Sequence, residues 1–90
     1  MTVYVDRILK YPSGQWCHLF TDGYLTELFD LALKIGLKMS WFQYELNCTM
    51  PHFDLRPSMR VKAIKAGAVA VEREKMAEVV NLWRKRRGLK

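Results

Sequence analysis

Residues 2–6, Thr-Val-Tyr-Val-Asp, place β-branched and aromatic side chains in succession and end on an acid. Such a run predicts a buried strand with Asp6 at its carboxyl end. Residues 11–15, Tyr-Pro-Ser-Gly-Gln, carry turn chemistry, and 16–20 reads as a second extended piece. The period then changes. Leu25, Leu28, Phe29, Ala32 and Ile35 recur at helical spacing. Thr21 or Asp22 stands ahead of them as a cap, and Gly36 behind them as a left-handed closing residue. Residues 41–46 are rich in aromatics and predict a strand, and 47–55 are irregular apart from a short extended piece at 52–55. Pro57 suits the first turn of a second helix, where its missing N–H is no loss. Met59, Ala63 and Ala66 mark that helix and Gly67 ends it. Residues 68–72 form a short apolar run of strand type. Met76, Val79, Val80 and Trp83 are the buried stripe of a last helix starting near Glu74.

Strand, helix, strand, helix, strand, helix predicts one small α/β domain over residues 1–90. Its β-α-β-α-β-α order would stack in two or three layers around a short, mostly parallel sheet. Ninety residues support a single core, burying about 60–65% of the unfolded surface. In such sheets ligands gather beyond the carboxyl ends of the strands. That rule directs attention to residues after strands and before helices.

Composition narrows the classes. Half the residues are hydrophobic, which argues for a folded core, yet no apolar run approaches the roughly 20 residues of a membrane span. The N-terminal residues lack the basic and apolar regions of a signal peptide, so a cytoplasmic protein without a membrane partner is expected. Cys17 and Cys48 are too few and too far apart for a metal finger and are expected to be free and partly buried. The net charge is +6, but residues 84–90 hold five of the fifteen basic side chains and no acid. The remainder has ten basic side chains against nine acidic, so the excess sits on a C-terminal tail. That tail reads first as a solvated helix end whose cations meet the macrodipole, and second as a contact for nucleic acid.

The strand-end rule selects His18, Asp22, His52, Asp54, Arg56 and Arg60 as candidate ligand-binding residues, with Asp6, Arg7 and Trp16 beside them. Imidazole and carboxylate together can hold a metal that activates water, and arginine can fork onto a phosphate. No cofactor is required by this set; a divalent metal, if used, would fall to Asp6, His52 and Asp54. Each residue also has a plain structural reading: Asp22 as a helix cap, His18 as a bonded core histidine, Asp54 as a partner for an arginine. Arg60 stands one turn into a helix, where a cation opposes the dipole and calls for an anionic or carbonyl partner. Trp16, Trp41, Phe42 and Tyr44 read as core before they read as a stacking platform.

The blocks MTVYVD, WCHLFTD, LALKIGL, WFQ and HFDLRPSMRVKAIKAGAVAV, in this order over roughly residues 1–72, resemble the domain of unknown function family 4031. These are small phage and bacterial proteins. The family tends to carry a second acid where this chain has Arg7, and threonine or serine where it has Arg56. The first departure removes a carboxylate from any metal set, and the second exchanges a helix cap for a cation. The resemblance implies a phage setting, in the host cytoplasm, where a compact accessory protein would act against host defence.

Three functions follow. The first is binding, and sequestration, of a phosphorylated small ligand such as a nucleotide signal, in a site shared by a homodimer. The second is metal-assisted phosphoester hydrolysis, with Asp6, His18, His52 and Asp54 as ligands or bases and Arg60 as clamp. The third is a nucleic-acid or protein-binding module working through residues 84–90.

Overall fold

The chain between Val5 and Gly14 is too short for a helical crossover, which needs a dozen residues or more, and it turns back instead. The computed structural model describes residues 2–44 and 50–86. In it β1 (Val3–Val5) and β2 (Leu9–Tyr11) both pair antiparallel with the long strand β3 (Gly14–Thr21). Pro12 and Ser13 make the turn. On the other edge of β3 lies β4 (Phe53–Leu55), also antiparallel, while β5 (Val69–Ala70) joins β1 as the one parallel pair among the described strands. The sheet is therefore mixed and mostly antiparallel, not the mostly parallel sheet that the alternation of elements predicts. The physical cause is local. A proline–serine turn closes a hairpin at once, and that hairpin adds a strand which the sequence pattern merged into the turn.

The register of this hairpin shifts once. Val5 stands opposite Leu19, but Leu9 stands opposite Trp16. Asp6, Arg7 and Ile8 thus face only Cys17 and His18, which is a β-bulge. Bulges bend a strand and re-aim a side chain, often next to a functional site. Here the re-aimed residue is Asp6.

Among the described residues three helices cover the sheet: α1 (Leu25–Lys34), α2 (Pro57–Lys65) and α3 (Arg73–Arg86). Alternation along the strands sends Val3, Val5, Cys17, Leu19, Phe53 and Leu55 to one face, where Leu28 and Ala32 of α1 and Ala63 of α2 pack on them. Tyr4 and Phe20 face the other way and meet Val79 and Trp83 of α3. The result is three layers. Phe20 and Phe53 are fully buried, each contributing about 1.5–3 kcal/mol of burial free energy. Burial pushes the Cys17 thiol up to about 12, with the charge of Asp6 adding to the effect. Cys17 is free, as expected, and inert as a nucleophile. Cys48 lies outside the described residues.

Two local expectations are corrected. Residues 41–44 do not form a strand: Met39–Trp41 is a 3₁₀ turn, and Gln43 makes a single bridge to His52. Residues 45 and 46 lie outside the described segment. Phe42 serves packing, its ring 4.9 Å from Phe29 and 5.4 Å from Phe53, whereas Trp41, expected in the core, is half exposed. Neither Thr21 nor Asp22 caps α1, whose preceding residue is Tyr24 with no side-chain cap. Both are occupied by the end of the β1–β3 ladder. The Thr21 hydroxyl donates to the Thr2 carbonyl (2.9 Å), and the Asp22 carboxylate accepts from the Thr2 N–H (3.1 Å) and the Tyr4 hydroxyl (2.7 Å).

Burial alone would raise the Asp22 pKa, but the Tyr4 and Thr2 hydrogen bonds and nearby Lys75 outweigh it and hold the carboxyl below its ordinary value. A depressed carboxylate contributes stability that is present above the unfolded pKa, about 3.9, and is lost as pH falls through the lower folded value. Asp22→Asn is therefore expected to lower stability at pH 7 by about 1 kcal/mol. The difference should shrink toward pH 3. Urea unfolding at both values checks this, and an equal loss at both would contradict it.

The basic segment 84–90 begins as the last turn of α3. The Trp83 indole donates to the Thr21 carbonyl at 2.7 Å, and the Arg86 guanidinium donates to the carbonyls of Asp22 and Gly23. Arg86 also stacks on Trp83. Residues 87–90 lie outside the described part. Among the described residues no helix is long and apolar enough to cross a membrane.

Candidate metal centre

Helix α3 packs over the Tyr4–Phe20 end of its face of the sheet. Alternation along β3 and β4 sends Trp16, His18, His52 and Asp54 to the same face, at the end toward the β2–β3 turn. There they line an open cleft of ≈ 520 Å³ with Tyr11, Pro12 and Ser13. His18 and Asp54 are cross-strand neighbours in the β3–β4 register, which is why side chains 36 positions apart in the chain meet.

Each histidine has one ring nitrogen committed. His18 Nδ1 lies 2.8 Å from Asp6 Oδ2, while Asp6 Oδ1 accepts the His18 backbone N–H at 2.6 Å. His52 Nδ1 lies 2.9 Å from the Met50 carbonyl. A carbonyl only accepts, so His52 donates from Nδ1 and its neutral form presents a lone pair on Nε2. Asp6, as a carboxylate, imposes the same tautomer on His18. The hydrogen bond to Asp6 raises the His18 pKa; burial opposes it, and the charges of Asp6 and Asp54 add to the rise.

Both free nitrogens address one oxygen. His52 Nε2 is 3.5 Å and His18 Nε2 is 3.9 Å from Asp54 Oδ1, while Asp54 Oδ2 accepts from the Gln43 amide at 2.7 Å. In its neutral form each ring turns a lone pair toward that oxygen, whereas a protonated ring would donate to it. Two ligands of a tetrahedral zinc-type ion stand roughly 3.3 Å apart, close to both separations. One donor atom from each of His18, His52 and Asp54 lies within 4.8 Å of the others. All three side chains are oriented by a further partner: Asp6, the Met50 carbonyl and Gln43. Such supporting bonds fix the tautomer and ring angle of metal-ligating histidines.

The family model described as a protein of unknown function, DUF4031, matches residues 3–83. The chain belongs to the DUF4031 family. No curated protein and no solved structure matches it. The DUF4031 description carries no activity, so function rests on the geometry.

Of the residues selected from the DUF4031 chain's sequence, the fold brings together His18, His52, Asp54, Asp6 and Trp16. Asp6 stands one step behind the cluster, 5% exposed, supporting His18. Asp22 is at the far end of β3 with Tyr4 and Thr2. Arg7 is exposed and reaches Glu72 at 3.8 Å, a surface pair of small worth. Arg60 donates from Nε to the Asp6 carbonyl at 3.0 Å, which meets the demand of a cation in the first turn of a helix and anchors the bulge. Arg56 precedes α2 without capping it and lays its guanidinium over the Trp16 ring, 4.0 Å from the centroid. Gly14, at φ +128°, makes room for that guanidinium, which occupies the place of a Cβ. Sequence reasoning passed over Gln43, hidden in an aromatic run, and the Met50 carbonyl, since a backbone atom carries no sequence signal.

Proposed function

We propose that this protein holds a divalent metal ion on His18, His52 and Asp54 and uses it to hydrolyse a phosphoester. The observation that carries this reading is the convergence of the two Nε2 atoms on one carboxylate oxygen, each ring held by an acceptor at its other nitrogen. Two histidines and a carboxylate leave coordination positions for water and substrate. A metal in such a site lowers the pKa of bound water toward neutrality and polarises a phosphoryl oxygen. Arg56, exposed between β4 and α2, supports an anionic substrate, because its fork matches phosphate oxygens.

Binding without turnover is the second reading, and one observation favours it. Both carboxylates of the cluster are engaged, Asp6 by His18 and Asp54 as a ligand, so neither is free to take a proton from an attacking water. The same centre would then sequester a phosphorylated ligand, as a small accessory protein acting against a host nucleotide signal would do.

Purified protein stripped with EDTA and reloaded with Zn²⁺, Mn²⁺ or Mg²⁺ decides between them. Hydrolysis of a phosphoester panel is expected only after reloading. Tight metal uptake with substrate recovered unchanged would favour sequestration, and no metal uptake would overturn both metal-based readings.

A further inference from the structure

A second cleft, of ≈ 530 Å³, runs along the outer edge of β4 and shares Trp16 and Asp54 with the first. Its other walls include Trp41, Leu37, Ser40, Met59 and Arg56. Trp41 is half exposed, although a tryptophan side chain contributes most when buried. The two indoles each carry a cation: Arg56 lies on Trp16, and Lys38 Nζ is 5.6 Å from the Trp41 ring centroid. A mostly apolar cleft with an exposed indole on its wall, a flat guanidinium beside it and a candidate metal ligand at its inner end has a specific complement. That complement is planar and aromatic at one end and anionic at the other. The volume falls within the roughly 300–1,000 Å³ of small-ligand sites.

We infer that the substrate class is a nucleotide, whose base stacks on Trp41 while its phosphate lies between Arg56 and the His18–His52–Asp54 centre. The placing of the phosphate rests on the metal reading above; the placing of the base rests on the cleft alone. Bases stack on exposed aromatic rings and on arginine planes irrespective of sequence.

Calorimetry on the Mn²⁺-loaded protein tests this with the four common ribonucleoside monophosphates and with ribose 5-phosphate, which lacks the base. At least one nucleotide is expected to bind about ten-fold or more tighter than the sugar phosphate, the range that base–aromatic stacking supplies. Trp41→Ala should erase that preference without changing ribose 5-phosphate affinity, and Trp41→Phe should recover most of it. Because Trp41 is half exposed, both variants are expected to fold. Equal affinity for all five ligands, or an unchanged preference in Trp41→Ala, overturns the inference. Titration with Mn²⁺ alone keeps the two readings apart. Mn²⁺ uptake without base preference removes the nucleotide and spares the metal, and a Trp41-dependent base preference without Mn²⁺ uptake does the reverse.

Discussion

His52→Ala is expected to weaken metal binding by more than about 100-fold, since removing a ligand should exceed the ~10–100-fold that its outer partners cost. Metal-dependent turnover should disappear with it. His52 lies before β4 rather than inside the hydrophobic core, so the melting temperature without metal should change little. Asp54→Asn is the companion variant. It keeps the shape and an acceptor for Gln43, yet withdraws the negative charge on which both imidazoles converge. Metal titration with a thermal melt in EDTA separates loss of the site from loss of the fold. Unchanged metal affinity in both variants would remove the proposed centre.

Asp6→Asn tests the supporting residue. The amide oxygen can keep the bond from the His18 backbone, but the amide nitrogen then faces His18 Nδ1 and donates to it. His18 must shift its proton to Nε2 and turn an N–H toward Asp54. Metal affinity is expected to fall by about 10–100-fold while the sheet persists, because the backbone bonds of the bulge and the Arg60 contact to the Asp6 carbonyl remain. The signature is spectroscopic: nitrogen NMR of the metal-free protein, at a pH above the raised His18 pKa, should report the Nδ1–H tautomer in the parent and the Nε2–H tautomer in Asp6→Asn. A merely structural role for Asp6 would alter stability without inverting the tautomer.

Together these variants divide the site into ligands and supports. The division rests on one strand irregularity. Had β1 and β2 paired with β3 in a single register, Asp6 would lack the re-aiming that the bulge provides. Arg60 and Gly14 are the less visible parts of that arrangement. The first bonds the carbonyl at the bulge, and the second leaves space for Arg56 against Trp16.

Much of this was legible in the chain itself. The helices follow from apolar periodicity, Pro57 and the closing glycines, because these signals are local and act through a few neighbouring residues. His18, His52, Asp54 and Asp6 emerged from a rule about strand ends. The rule chose them for the wrong reason: only Asp6 follows a strand, whereas His18 and Asp54 lie inside β3 and β4 and His52 just before β4, and it is cross-strand pairing that gathers them. Only the tertiary structure decided the rest. Strand pairing is a long-range choice, and the hairpin at Pro12–Ser13 made the sheet mostly antiparallel. Register then separated Asp22, at the far end of β3, from the residues it had seemed to join. Asp54 owes its position to the pairing of β4 with β3, and its partner Gln43 and the Met50 carbonyl are set by tertiary geometry, not by sequence spacing. Residue types announced an acid, imidazole and arginine chemistry; the ladder fixed which of them share an oxygen and which merely end a strand.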